Sequence, residues 1–148
     1  MRMRISQNFT LEEFVSSETA ERNGIDNTPT PEIIAQLKIT AQGLEQVRGL
    51  LNAPIHILSG YRCLELNTAV GGAPASQHMT GQAADFICAG YGTPYLVAKD
   101  IEASGIQYDQ LIYEYTWVHI SFVSDRAPRL ESMTKQKGAP GYTKGILG

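Results

Sequence analysis

The longest regular pattern in the chain follows Thr30-Pro31. Ile33, Ile34, Leu37, Ala41, Leu44, Val47 and Leu51 recur on one face at a helical period, with polar residues between them. Thr30 stands where a helix is capped and Pro31 where its first residue falls. The spacing predicts a helix from Pro31 to about Leu51 that carries much of the core, ended by Asn52-Ala53-Pro54. Ahead of it, Thr10 and Glu13 have the spacing of a capping box and predict a helix start. Residues 18–28 are polar, contain Asn23-Gly24, and read as short helix and loop. After residue 54 the pattern shortens. Ile55-His56-Ile57-Leu58 reads as a strand that delivers Ser59-Gly60-Tyr61-Arg62 at its end. Residues 64–70 read as a short helix stopped by Gly71-Gly72, and residues 73–80 as loop. Residues 83–88 alternate as a strand, with Asp85 and Ile87 on one face and Ala84, Phe86 and Cys88 on the other. Thr93-Pro94 opens another helix, closed by Gly105, and residues 110–115 and 117–123 read as an antiparallel hairpin. From about residue 124 the chain turns polar and Gly-rich, which predicts an irregular tail with one edge strand near residues 130–134. Helices first, then mixed strands and helices, make an α+β unit with a small antiparallel sheet.

Length and charge narrow this picture. A chain of 148 residues, 43% apolar, suits one domain spanning 1–148 with a single core. A net charge of −3 lacks the basic stripe of a nucleic-acid binder. The start, Met1-Arg2-Met3-Arg4-Ile5, is charged with no apolar stretch behind it. It reads as neither a secretory signal nor a membrane span, so the protein is expected to act where it is made or to be released by other means. Two cysteines, Cys63 and Cys88, are too few for a disulfide framework and read as small reduced side chains.

Three histidines occur, and two lie in segments built like a metal site. His78 and Asp85 are seven residues apart across a Gly81-containing loop and a strand, and His119 follows in Trp117-Val118-His119-Ile120-Ser121. On a helix, seven residues would separate two side chains by about 10 Å along the axis. Loop followed by strand, with Gly81 for the close turn, can bring them together. Two imidazoles and a carboxylate suit one catalytic zinc per chain that keeps a position for water. Taken singly, His78 is as readily a surface histidine and Asp85 a capping carboxylate. His56, between apolar strand residues, reads as structural.

Glu114 is the candidate general base. With an even turn in the hairpin, Ile112 pairs with His119, and Glu114, Trp117, His119 and Ser121 share a face. Glu114 then lies diagonal to His119, with Cα atoms about 7–8 Å apart. An odd turn would point it away. Tyr115-Thr116 suits a two-residue turn poorly, because neither residue favours positive φ. Arg62, directly after a strand, can hold a substrate carboxylate or an oxyanion, or pair with Glu65 at the surface. Ser76 can serve the substrate or the loop backbone. Tyr61 and Trp117 can line a cleft or fill the core.

Ser59-Gly60-Tyr61-Arg62, Asn67, Val70-Gly71-Gly72, the run Ser76-x-His78-x-x-Gly81-x-Ala83-x-Asp85, and Trp117-Val118-His119 together resemble the M15 zinc peptidases. That family includes bacterial D-Ala-D-Ala carboxypeptidases, vancomycin-resistance dipeptidases and bacteriophage endolysin peptidases. The resemblance runs from about Phe9 to Phe122. It implies zinc on His78, Asp85 and His119, and Arg62 steadying substrate or transition state. It also implies a small α+β fold of the Hedgehog and DD-peptidase kind, with an antiparallel sheet and the metal in a cleft. The dipeptidase members carry a glutamate three residues before the last histidine, where this chain has Thr116. Other members place the corresponding residue five before it, which is Glu114 here. The expected activity is hydrolysis of peptide bonds in peptidoglycan stem peptides, as carboxypeptidase or endopeptidase, by a monomer. If phage-encoded, the chain would pass from host cytoplasm to cell wall. The alternative from another class is a metal-stabilised cell-wall-binding or virion structural module. Cysteine ligation by Cys63 or Cys88 would favour it.

Overall fold

The computed structural model describes residues 3–148, so the expectation for Met1 and Arg2 lies outside the described residues. The helices are α1 (Leu11–Val15), α2 (Glu18–Asn23), α3 (Pro31–Leu51), α4 (Leu64–Ala69) and α5 (Pro94–Glu102). The strands are β1 (His56–Ser59), β2 (Ala83–Ile87), β3 (Gln110–Tyr113), β4 (Val118–Ser121), β5 (Glu131–Thr134) and β6 (Thr143–Lys144). None of these helices is long and apolar enough to cross a membrane.

Local chemistry sets most of the boundaries. Glu13 accepts a hydrogen bond from the Thr10 backbone N–H at 2.9 Å, which starts α1. Thr30 and Thr93 accept bonds from Ile33 and Leu96 ahead of Pro31 and Pro94, which start α3 and α5. Asn52 adopts the left-handed conformation that ends α3.

One sheet of order β1-β2-β4-β3-β5-β6 forms the middle of the molecule. Alternation along its strands divides the two faces. Ala84, Phe86, Leu111, Tyr113, Val118 and Ile120 face the core with Leu37, Leu44 and Val47 of α3 and Val97 and Ile101 of α5. Close approach of α3 to the sheet needs Gly43, where an added Cβ would sit 2.5 Å from the Phe122 ring. Asp85, Ile112 and His119 occupy the alternate positions.

Three expectations are corrected. The sheet is mixed, because β5 runs parallel to β3. The tail strand β5 is internal, flanked by β3 and by β6. The reason is a clamp: Arg126 and Arg129 bind Asp109 at the start of β3, and Glu131 N–H donates to Asp109 O. The chain therefore re-enters the sheet at the end where β3 begins and must run parallel to it. Third, residues 73–80 are not all loop. Gln77–Thr80 form a 3-10 turn, opened by Ser76 and closed by Gly81 at φ 77°.

Candidate functional site

Two elements of the sheet and one turn build the site. Asp85 on β2 is the direct cross-strand partner of His119 on β4, and His119 is the partner of Ile112 on β3. The pairing of Ile112 with His119 is the even register, so Glu114 lies diagonal to His119. Tyr115 takes the positive φ this turn needs, 65°, and the Glu114 N–H donates to Trp117 O at 3.1 Å. The unfavourable turn chemistry is tolerated because the Tyr113 and Tyr115 rings pack with centroids 4.6 Å apart and three ladder positions precede it.

His78 arrives from above, on the 3-10 turn. Ser76 Oγ accepts from the His78 N–H at 3.1 Å, Thr40 donates to Gly81 O at 2.6 Å, and Arg62 N–H donates to His78 O at 3.1 Å. The turn is thereby tied to α3 and to the segment after β1. Gly60, also in that segment, is packed so closely that a Cβ would lie 2.5 Å from Phe14 O. Its carbonyl sits 2.7 Å from His78 Nδ1. A carbonyl oxygen only accepts, so Nδ1 carries the proton and donates. His78 Nε2 then presents a bare lone pair, 3.4 Å from Asp85 Oδ2.

That contact indicates what the site can hold. Two acceptors face each other, and His78 is 2% exposed. Burial lowers the His78 pKa against the pull of Asp85, which favours the neutral ring. Burial would raise the Asp85 carboxyl, whereas positive charge at the neighbouring imidazoles, or on a cation held among them, would keep it below the usual carboxylate range and ionised. His119 Nδ1 stands 2.9 Å from Asp85 Oδ1, and the three residues each offer a ligand atom within 4.8 Å of the others. A cation between them would satisfy both facing acceptors. Two imidazole nitrogens and a carboxylate fit zinc by ligand type. Cys63 stands at the N-cap position of α4 and the Cys88 thiol donates to the backbone oxygens of Ala53 and Pro54, so neither joins the cluster.

The cluster opens on a cavity of about 440 Å³. Arg62, Ser76, Glu114 and Trp117 line it. Burial, then the charge of Asp85, raises the Glu114 pKa, a shift suited to a group that takes and returns a proton. Burial lowers the Arg62 pKa while Asp85 and Glu114 oppose it, and the guanidinium remains a cation. The Trp117 indole N–H lies near Glu114 without closing a hydrogen bond to it. Tyr61 is placed differently from Trp117. Its side chain joins the core and borders a neighbouring groove, while its carbonyl accepts from Asn27. His56 is exposed on β1, so it is not a buried structural histidine.

Further residues support the site. Asp109, fully buried, receives hydrogen bonds from Arg126, Arg129 and, at 3.0 Å, from Gln77, the residue before His78. Burial alone would raise its pKa, yet these bonds hold it well below the ordinary range. Asp109 is thus committed to this network and is not available as a base. Asn67 donates to Ala73 O, and a Cβ on Gly72 would meet its side-chain oxygen at 2.1 Å, which accounts for both residues in the motif. The Gly60 carbonyl and the Asp109 network carry no signal in sequence spacing.

A peptidase M15 family model matches residues 7–121, most of the chain, and the chain belongs to that family. No curated protein matches it.

Proposed function

We propose that this M15-family chain is a zinc-dependent peptidase that hydrolyses peptide bonds in peptidoglycan stem peptides. The observation that carries the reading is the buried face-off of His78 Nε2 and Asp85, beside His119, at the mouth of a cavity that also holds Glu114 and Arg62. Zinc on His78, Asp85 and His119 would supply a Lewis acid and lower the pKa of a water molecule. The chain's own groups account for the rest. Glu114 takes a proton from the attacking water, whose oxygen adds to the scissile carbonyl carbon. The Arg62 guanidinium donates to the oxyanion as it forms. The C–N bond breaks, and Glu114 passes its proton to the leaving amine. Trp117 and Ser76 border the bound peptide.

A non-catalytic metal module would be expected to close the site with a fourth protein ligand. Among the described residues the cluster has three, and both cysteines lie elsewhere. The place of action would be the cell wall, where such peptides occur. The test is digestion of purified peptidoglycan by the zinc-loaded protein, with released fragments identified by mass. Chelation should abolish release and lower the melting temperature, and zinc should restore both. Full activity in strong chelator with no bound metal would refute the proposal.

A further inference from the structure

The metal cluster does not sit at the end of a blind pocket. Asp85 borders two cavities, the one that holds Glu114 and a second of about 680 Å³ on the β1 side. Arg62, Val70 and Trp117 also line both. They form a waist between two cavities, each within the size range of ligand sites. The second cavity runs between β1 and the junction of α1 and α2, with Leu58 and Ser59 on one bank and Ser16, Ser17 and Glu18 on the other.

Two further observations point to an extended peptide in that groove. β1 is an edge strand. Among the described residues its backbone makes no hydrogen bond outside the pairing with β2. Such an edge offers N–H and C=O groups to a peptide added as a strand. In addition, Arg62 Nε, at the waist, is a buried donor with no acceptor among the described residues. Buried donors are rarely left unpaired, and a peptide backbone passing the waist brings it a carbonyl acceptor.

We infer that the substrate passes through the site and is cut internally, with one flank extended along the free edge of β1 and the other in the Glu114 cavity. This rests on the peptidase reading above and specifies its substrate class: a chain that continues on both sides of the scissile bond. The hydrolysis is unchanged. One water is consumed, one C–N bond is broken, and two peptides are released in place of a single terminal residue.

The test uses the zinc-loaded full chain and two synthetic stem peptides that share the same internal bonds. One is short with a free C-terminal carboxylate. The other is extended on both sides, acetylated and amidated. Mass spectrometry of the products should show one internal cut in the blocked peptide, with kcat/KM at least about tenfold above the short one, since flanking contacts add binding. Release of the terminal residue alone, with the blocked peptide untouched, would overturn the inference and leave the peptidase reading standing. No hydrolysis of either peptide would sink both. Ser16→Trp would fill the groove opposite β1. With metal content and thermal melt matching the parent, it should lower the extended-to-short ratio by about tenfold. An unchanged ratio in that folded variant would overturn the placement on β1.

Discussion

Asp109→Asn is the most informative single change, because it separates the support of the site from its chemistry. The Asp109 carboxylate is 0% exposed and takes bonds on both oxygens. Oδ1 accepts from Arg126 and from the Arg129 backbone N–H, and Oδ2 accepts from Arg126, Arg129 and Gln77, at 2.7 to 3.0 Å. An amide cannot replace this. If its oxygen stays at the Oδ1 position, its NH₂ faces three donors, and the charge that held them is gone. Breaking a buried ion pair costs about 3–5 kcal/mol. Here the arginine side chains are 44% and 46% exposed and can turn to water, which reduces the cost to about 2–3 kcal/mol. The assay is denaturant unfolding of the metal-free protein at pH 7. A loss below about 0.5 kcal/mol would refute the argument that this network clamps the tail to the sheet. The pH dependence supplies an independent check. The native pKa of Asp109 is depressed, so its contribution is complete above the unfolded pKa and fades as pH falls through that value toward the native one. At pH 3, about 0.9 units below an unfolded pKa of about 3.9, the gap between parent and variant should shrink by about 1.2 kcal/mol. A gap that stays constant or widens would contradict the assigned direction. Because Gln77 loses its partner, zinc affinity should also fall by about tenfold or more, in the range of supporting-residue losses.

Glu114→Gln should lower turnover on the order of 10²–10⁴-fold while zinc stays bound, read by elemental analysis beside the fragment assay. Parental turnover in that variant would remove Glu114 as the base. His119→Ala should lose both metal and activity, since the cluster then keeps two ligands. Retention of stoichiometric zinc after dialysis would show that His119 is not a ligand. Gly81→Ala forces a side chain into φ 77°, with a Cβ 3.3 Å from Ile33 and 3.4 Å from Leu37. It should cost about 1–3 kcal/mol by thermal or denaturant melt and weaken zinc binding, and an unchanged melt would show that the turn does not depend on glycine there.

The sheet is where expectation and structure part most clearly. The alternation at residues 83–88 assigned Asp85 and Phe86 to opposite faces, and the structure agrees. The hairpin pattern left two registers open, and Tyr115-Thr116 spoke against a two-residue turn. The favourable register wins because an odd one would turn Val118 and Ile120 away from the core, and burial of those side chains outweighs one residue at positive φ. Polar, Gly-rich residues in the tail predict irregular structure. Nothing local could show that Arg126 and Arg129 would find Asp109 and make β5 an internal parallel strand.

What the sequence determined by itself is local. Threonine-proline starts fixed α3 and α5, whose caps and first-turn geometry depend on neighbouring residues. The spacing of His78, Asp85 and His119 marks a set that could hold a metal, because ligand chemistry is carried by residue type. Tertiary structure decided which ring nitrogen of His78 faces the site, since that follows from a carbonyl eighteen residues away, at Gly60. It also decided that Asp109 supports the site, and that the cleft continues along β1. These depend on contacts between segments distant in the chain, whose energies come from burial and pairing that no local pattern encodes.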